Sequence, residues 1–205
     1  MKKQQNNQWK KTKMFLMHIF GEQYEMGLDY IQLLYQQPFH RLPILCLVSK
    51  ENSTGKSTFA KLLKMILKEK MVVLLKDDFR GSFNSHFAIA TSICLDEAKF
   101  DKPFLEKINS LSSSDYIKIN EQNKAPYETP FFGKFILLSN EEESFIDANK
   151  DAIRYWVRKI PVIKKINVHL LGKLKEEIPA FLAFLQKRKL YAKQKSRYWF
   201  DMNSL

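Results

Sequence analysis

The chain has 205 residues, 45% of them hydrophobic, with a formal net charge of +12 and a pI near 9.5. This length suits one core with helical appendages, or one domain plus a tail, and the composition is that of a globular protein. The basic excess favours a polyanionic partner, nucleic acid before an anionic membrane surface, although lysines that only solubilise the surface would give the same charge.

The N-terminal part of the chain predicts a polar arm followed by helices. Residues 1–12 are polar and lysine-rich and predict a flexible basic arm, without the apolar core of a signal peptide. Residues 13–40 carry apolar side chains at helical spacing on both sides of Gly21, which predicts an N-terminal helical segment with two helices. Because no apolar stretch of the sequence approaches ~18 residues, we expect no membrane span and a cytoplasmic protein.

An apolar run at residues 44–48 leads into a polar loop that ends in Gly55, Lys56, Ser57 and Thr58, after which apolar residues recur at helical spacing. This strand–loop–helix order predicts a phosphate-binding loop. Lys56 would reach the terminal phosphates and the Ser57 hydroxyl would bind Mg²⁺, while backbone N–H groups at the start of the helix would face a polyphosphate.

Residues 50–58 are called here the candidate phosphate loop. Its predicted nucleotide-binding residues are Asn52, Ser53, Thr54, Gly55, Lys56, Ser57 and Thr58. Lys50 stands where the usual G-x-x-x-x-G-K-[ST] pattern has its first glycine. The alternative interpretation is a lysine-rich surface turn before a helix, which would not explain the preceding buried strand.

The rest of the chain alternates between apolar runs of strand length and segments with helical spacing. Strands are predicted at residues 71–75, 88–95, 116–120, 134–138 and 153–162. Residues 104–111 predict a helix and residues 121–127 a hairpin tip. Residues 166–205 predict a C-terminal helical segment and tail, with Pro179 at the start of its second helix. We therefore predict an α/β fold whose core, at residues 41–165, has a central parallel sheet flanked by helices.

Acidic and amide residues follow two of the predicted strands. Asp96 and Glu97 come after the apolar run SICL, and Asn140 comes after the run FILLS. Nucleotide hydrolysis needs a carboxylate at a strand end to assist Mg²⁺ and a base to activate water, which makes Asp96 the metal candidate and Glu97 the catalytic base. An amide at Asn140 can donate to a γ-phosphate and accept from the attacking water. The alternatives are a helix cap for the two acids and a turn residue for Asn140.

Basic residues outside the loop have two predicted roles. Arg154 and Arg158 lie four residues apart in the last predicted strand. An arginine near the end of such a domain can reach a neighbouring subunit's γ-phosphate as an arginine finger, with Arg154 favoured and Arg158 its rival. Lys118 and Lys124 lie on or near the predicted hairpin, where they would either contact the backbone of single-stranded DNA or be solvated.

Taken in this order, the motifs resemble those of the ATPase domain of superfamily 3 helicases, and most of all phage- and plasmid-type primase-helicase proteins. The matching segments are VSKENSTGKST, ICLDEA, the hairpin with NKAPYE, FILLSN and RYWVRKIP. The resemblance implies a P-loop NTPase with an AAA+-like core that uses ATP and Mg²⁺, forms a homohexameric ring and moves 3′-to-5′ on single-stranded DNA. By position it carries the phosphate, metal, base, sensor, hairpin and finger roles over to Lys56, Ser57, Asp96, Glu97, Asn140, Lys124 and Arg154.

The leading interpretation is therefore a DNA-dependent ATPase and helicase of replication type, with a primase module or other replication proteins as candidate partners. A small-molecule P-loop phosphotransferase shares the loop and needs no ring, but the basic charge and the strand end at Asn140 disfavour it. A non-processive, nucleotide-gated DNA-binding or loader module is the third interpretation. No primase module precedes the predicted ATPase, so we expect either a domain of a longer protein or a small stand-alone ATPase.

Overall fold

The computed structural model describes residues 8–96, 99–141 and 154–192. Its strands are β1 Ile44–Val48, β2 Met71–Leu74, β3 Ser92–Asp96, β4 Tyr116–Ile119, β5 Tyr127–Pro130, β6 Lys134–Ser139 and β7 Tyr155–Lys159. Its α-helices are α1 Lys10–Phe20, α2 Tyr24–Gln36, α3 Lys56–Leu67, α4 Lys76–Arg80, α5 Ser85–Ala88, α6 Lys102–Ser113 and α7 Leu170–Lys187. None of these helices is long and apolar enough to cross a membrane, a statement that covers the described ranges alone.

Five strands form one parallel sheet in the order β2–β3–β6–β1–β7, and β4 pairs with β5 as a separate antiparallel hairpin. β6 lies between β1 and β3, although both precede it in the chain. All five strands of the larger sheet run in one direction. The residues that follow β1, β3 and β6 therefore meet at its carboxyl edge, where α/β proteins bind their ligands. The predicted central parallel sheet is confirmed.

The sheet is buried on both faces, as expected for a parallel sheet. Alternate side chains of β1 divide between two hydrophobic clusters: Leu45 and Leu47 enter one, while Cys46 and Val48 enter the other. The first cluster is completed by α1, α2, α3 and α7, and the second by α4, α5, α6 and the hairpin. The predicted N- and C-terminal helical segments thus pack on one face of the same sheet.

Helix α7 stabilises the start of α1 across the length of the chain. The first turn of α1 has no side-chain cap of its own. Glu177 of α7 accepts hydrogen bonds from the backbone N–H groups of Lys11 (3.0 Å) and Thr12 (2.7 Å), and from the Thr12 hydroxyl (2.8 Å). A carboxylate at this position both satisfies free N–H groups and complements the positive end of the helix.

Three of the predicted boundaries were wrong. The flexible arm was predicted to extend to residue 12, but α1 begins at Lys10, and Trp9 is buried against the ring of Phe184, 4.5 Å away. The third strand begins at Ser92 rather than at residue 88, because the buried Phe87 belongs to the short helix α5. Pro179 lies inside the single helix α7 and not at the start of a second one. Pro179 is exposed, so water can solvate the carbonyl that its missing N–H leaves without a partner.

Candidate active site

The candidate phosphate loop connects β1 to α3 and turns sharply at its end. Gly55 is the N-cap residue of α3 and has a φ of 96°, in the left-handed region that glycine adopts at little cost. A Cβ atom at this position would lie 3.0 Å from the ring of Phe15. No side chain caps α3, so the N–H groups of its first turn remain available at the loop.

Two distant segments hold the candidate phosphate loop in place. His18 Nε2, on α1, lies 2.9 Å from the backbone oxygen of Thr54. The N–H of Ile163, which follows β7, donates to the backbone oxygen of Ser53 at 3.3 Å. Neither contact was predicted, because no local pattern connects residues 18 or 163 to this loop.

Lys56 lies under the loop and is only 8% exposed. Its Nζ donates to the backbone oxygen of Ser49 at 3.3 Å and to that of Glu51 at 3.5 Å. Ser49 is itself fixed to the neighbouring strand, since its N–H donates to the Ser139 oxygen at 3.2 Å. The carboxyl ends of β1 and β6 thus position the ammonium group of Lys56 beside the start of α3.

The hydroxyl of Ser57 meets the carboxylate of Asp96 at this edge of the sheet. Ser57 is in the first turn of α3, Asp96 is the last residue of β3, and Ser57 Oγ donates to Asp96 Oδ2 at 3.0 Å. Hydroxyl, carboxylate and water oxygens are the ligands that Mg²⁺ prefers. The two residues predicted as metal ligands therefore lie together and are exposed. The predicted base, Glu97, lies outside the described residues.

Asn140 is at the same edge, directly after β6. In the register of the sheet, Ser139 is opposite Val48 of β1, and Leu138 is opposite Asp96 of β3. Asn140 therefore follows a strand that lies between the end of β1 and the end of β3, and its side chain is exposed. Asn140 thus lies at the same edge as Asp96 and the candidate phosphate loop, and its role as the sensor stays a prediction.

The two arginines have different environments. Arg154 precedes β7, and its backbone oxygen accepts a hydrogen bond from the N–H of Ile44 at 2.7 Å, at the amino edge of the sheet. Five residues of β7 separate it from the carboxyl edge, a distance of about 16 Å at ~3.3 Å per residue. Arg158 is half-buried and donates through Nη2 to the Phe20 oxygen at 2.7 Å. Burial lowers the pKa of Arg158. Its hydrogen bond to Phe20 joins β7 to the end of α1 within the same chain, so this arginine supports the fold of its own chain.

The hairpin lysines are exposed, and acidic groups lie close to them. Lys118 is directly opposite Glu128 in the register of β4 and β5. Lys124 forms an ion pair with Glu121, whose other carboxylate oxygen accepts a hydrogen bond from the Tyr127 hydroxyl at 2.9 Å. The pairing lowers the pKa of Glu121 and raises that of Lys124. The hairpin tip is therefore less positive than its lysines alone would suggest.

A cavity of about 350 Å³ adjoins the candidate phosphate loop, and sequence reasoning did not predict it. One wall comes from the loop and α3, and the other from the segment between β7 and α7. The lining residues are Ser53, Gly55, Thr58, Lys61, Ile163, Lys165, Ile166, Asn167, Val168, Leu170 and Leu171. Most of the second wall is apolar, so this part of the site suits a hydrophobic group.

The sheet order and its helical layers define an α/β protein, and comparison with solved structures shows that its fold is helicase-like. The apo C-terminal region of NrS-1 is similar, with a TM-score of 0.75 and 17% identity over 92% of this chain and 47% of that one. A further structure of that region has the same TM-score and 19% identity, over 92% and 47% of the two chains. JCV helicase with a bound small molecule has a TM-score of 0.57 and 9% identity, over 89% and 55% of the two chains. The chain thus spans about half the length of these structures, and at these identities the likeness shows the fold alone.

The chain belongs to the family of unknown function DUF5906, whose model matches residues 47–154, more than half of the sequence. The matched segment contains the candidate phosphate loop, Asp96 and Asn140, and it ends at Arg154. No curated protein matches the chain.

Proposed function

We propose that this protein is a Mg²⁺-dependent ATPase of the P-loop, AAA+-like type that works as a replication-type DNA helicase or translocase. The observation that carries the proposal is the 3.0 Å hydrogen bond between Ser57 and Asp96, next to the buried Lys56 at the carboxyl edge of the sheet. A surface turn before a helix would not bring a hydroxyl, a carboxylate and a buried ammonium group together at a strand edge.

In this proposal the triphosphate lies over the N-terminal turn of α3, whose N–H groups have no side-chain cap. Lys56 neutralises charge on the terminal phosphates, and the backbone carbonyls of Ser49 and Glu51, which accept its hydrogen bonds, keep it oriented. Ser57 and Asp96 would hold Mg²⁺, which neutralises phosphate charge when bound. Asn140 orients the attacking water and Glu97 accepts its proton.

The cavity beside the loop supports an assignment for the rest of the nucleotide. Its apolar wall at Ile163 and Ile166 suits a nucleobase, and the cavity reaches the loop at Ser53 and Gly55. The base would therefore lie between α3 and the segment before α7 while the phosphates face the start of α3. This arrangement adds ATP-binding residues to those predicted from the sequence.

The position of Arg154 supports a site that is completed by a second subunit. Arg154 lies at the amino edge of its own sheet, on the opposite side from the loop, so it serves as a finger in trans, in a homo-oligomer that we propose is a hexameric ring. The net charge of +12 and the exposed Lys118 and Lys124 support single-stranded DNA as the partner. A primase module or other replication proteins would act together with the ring.

The proposal is tested by measuring Mg-ATP binding, and ATP hydrolysis with and without single-stranded DNA. We expect the unmodified protein to bind Mg-ATP and to hydrolyse it faster with DNA. Glu97→Gln should retain binding and lose turnover, whereas Lys56→Met should lose both. Lys70→Met, which removes an exposed lysine at the end of the same helical region, is the matched control and should change neither. Failure of the unmodified protein to bind Mg-ATP would reject the proposal.

A nucleotide-gated DNA-binding module is the second candidate, because the ion pair between Lys124 and Glu121 reduces the positive charge at the hairpin tip. Such a module would bind Mg-ATP but hydrolyse it slowly and without a response to DNA. Mixing Arg154→Ala subunits with Lys56→Met subunits separates the two candidates further. Partial recovery of hydrolysis in the mixture is expected for a ring with fingers in trans, and its complete absence for a module that acts alone.

A further inference from the structure

Helix α1 packs against the candidate phosphate loop with one face. Phe15, His18 and Ile19 are three and four residues apart and therefore share one side of the helix. A Cβ atom on Gly55 would lie 3.0 Å from the ring of Phe15 and 3.5 Å from Cδ1 of Ile19, so the loop is in direct contact with this face. His18 adds a polar contact, because its Nε2 lies 2.9 Å from the backbone oxygen of Thr54.

The direction of the hydrogen bond between His18 and Thr54 follows from the groups that form it. A carbonyl oxygen can only accept, so Nε2 of His18 must carry the proton. Thr54 is 2% exposed, and a buried carbonyl that lacks a donor destabilises a fold. His18 therefore supplies the donor for a carbonyl group that is buried between the loop and α1.

This hydrogen bond sets the orientation of the peptide group between Thr54 and Gly55. The described peptide bonds are all trans, and in a planar trans peptide the C=O and N–H groups point in opposite directions. Because the Thr54 oxygen is directed at His18, the N–H of Gly55 points away from α1. Without the donor this peptide group is freer to rotate, since no Cβ restricts the backbone at Gly55.

The preceding peptide group is fixed in the same way. The N–H of Ile163 donates to the Ser53 oxygen at 3.3 Å, so the N–H of Thr54 points away from Ile163. Ile163 and α1 lie on the same side of the loop, since Cδ1 of Ile163 and Cδ1 of Ile19 would both be 3.5 Å from a Cβ on Gly55. The N–H groups of Thr54 and Gly55 thus face the other, inner side of the loop, and neither has an acceptor within the described part of the chain.

We propose that His18 is a positioning residue for the nucleotide, because its bond to Thr54 holds the N–H of Gly55 in the direction that donates to a phosphate oxygen. Consecutive N–H groups on one side of a turn form a concave surface that binds anions, and the uncapped first turn of α3 continues it. This role of His18 depends on the proposed ATPase function. It adds to the site a residue from outside residues 47–154, the segment that the family model matches.

A role of His18 in stability alone makes a different prediction. Its loss would then weaken Mg-ATP binding no more than any other change that loosens α1. Thr12→Val provides this comparison, because it removes the hydroxyl that donates to Glu177 at 2.8 Å, near the other end of α1 from His18. Thr12→Val is therefore the matched control.

The test measures Mg-ATP binding by titration calorimetry and ATP hydrolysis at steady state, in the full chain and well below the Tm of each variant. We expect His18→Leu, which cannot donate, to raise the Kd and the KM for Mg-ATP roughly tenfold and to change kcat by less than about threefold. His18→Gln, whose amide can donate to the same carbonyl, should stay close to the unmodified protein. Thr12→Val should lower the Tm and leave the Kd unchanged.

Two NMR measurements on the unmodified protein provide a test that does not require His18→Leu to fold. The chain has six glycines, so selective ¹⁵N labelling of glycine resolves the Gly55 amide, which Gly55→Ala assigns. We expect Mg-ATP to shift the Gly55 amide proton downfield, because a hydrogen bond to a charged phosphate is strong and deshields the proton. Spectra of ¹⁵N-labelled histidine should show a proton on Nε2 of His18.

The outcomes separate the role of His18 from the proposed ATPase function. If the unmodified protein does not bind Mg-ATP, both are rejected. If it binds Mg-ATP but His18→Leu binds as tightly, or Thr12→Val loses as much affinity as His18→Leu, the positioning role is overturned and the ATPase function stands. The same follows if His18→Gln behaves like His18→Leu, if Mg-ATP does not shift the Gly55 amide, or if Nε2 of His18 carries no proton.

Discussion

Replacing Gly55 by alanine tests how the candidate phosphate loop is held against α1. The φ of 96° places an L-residue in the left-handed region, which costs about 1–2 kcal/mol. The new Cβ would lie 3.0 Å from the ring of Phe15, a tight contact that adds to this cost. Reduced freedom of the unfolded chain offsets about 0.4–1 kcal/mol. We therefore expect Gly55→Ala to lower the free energy of unfolding by about 1–2 kcal/mol, and to weaken Mg-ATP binding because the loop must shift.

Gly172→Ala is the matched control for this substitution. Gly172 lies inside α7, is exposed, and an added Cβ would have no neighbour within 4 Å. The same chemical change should there raise the free energy of unfolding by about 0.8–1 kcal/mol through helix propensity. Urea denaturation followed by fluorescence of the buried Trp9 and Trp156 measures both variants. If Gly55→Ala were as stable as Gly172→Ala, the proposed strain in the loop would be refuted.

A double-mutant cycle separates the backbone cost from the steric cost. Phe15→Leu shortens the side chain that faces Gly55, so the contact with the new Cβ is relieved while the left-handed φ remains. If the contact matters, Gly55→Ala should cost less in the Phe15→Leu background, with a coupling energy of about 0.5 kcal/mol or more. If the effects of Gly55→Ala and Phe15→Leu on the free energy of unfolding were additive, the whole cost of Gly55→Ala would come from the backbone conformation.

Three further outcomes are expected. Arg154→Ala should lower DNA-stimulated ATP hydrolysis by roughly 10³-fold with little change in stability. Arg158→Ala should instead lower the free energy of unfolding, measured in urea, by about 1–3 kcal/mol. If the two variants had the same effect on hydrolysis and the same effect on stability, the assignment would be contradicted. The hydrogen bond from Arg80 holds the pKa of Asp101 at about 2, so the stability from this carboxylate is present above pH ~4 and is lost as the pH falls towards 2. The Tm of Asp101→Asn should then be lower than that of the unmodified protein at pH 7, and the two Tm values should converge below pH 2. A difference in Tm that does not change with pH would contradict this pairing. Asp29→Ala should cost about 1–3 kcal/mol in urea denaturation, because it removes the buried carboxylate that accepts hydrogen bonds from Arg188 and from the N–H groups of Tyr191 and Ala192. Arg188 keeps its ion pair with Glu25, and a cost under about 1 kcal/mol would show that Asp29 contributes little.

The carboxyl edge was predictable because its signals are local. The runs at residues 44–48 and 135–138 are apolar on both faces, which is the pattern of a parallel strand covered on both sides. Once two such strands are parallel, the residues that follow them must share an edge. The contact between Ser57 and Asp96 follows from this rule and from the position of Ser57 at the start of a helix.

The parts that could not be predicted depend on contacts between distant segments. Glu177 stabilises the first turn of α1 from more than 160 residues away, and the local sequence at neither end of this contact predicts it. Ile163 and Ile166 form the apolar wall of the cavity beside the candidate phosphate loop, but their sequence pattern is that of an ordinary connector before a helix. Arg154 and Arg158 were both predicted to lie in the last strand, but Arg154 precedes β7, and the register with β1 decides which edge it occupies. Burial and register are properties of the packed sheet, so periodicity alone does not supply them.

β7 connects Arg154, at the amino edge of the sheet, to the segment that contacts the candidate phosphate loop at the carboxyl edge. Its amino end follows Arg154, and the segment beyond its carboxyl end returns to the candidate phosphate loop, where the Ile163 N–H donates to the Ser53 oxygen. β7 is paired with β1 along all of its five residues, so it can move only together with the sheet. A shift of the loop on loss of the γ-phosphate would then reach Arg154 as a rigid-body rotation of the sheet rather than as a local change. Because Arg154 is expected to contact the nucleotide of a neighbouring subunit, the state of one site would alter the geometry of the next, which is the coupling that sequential hydrolysis around a ring requires.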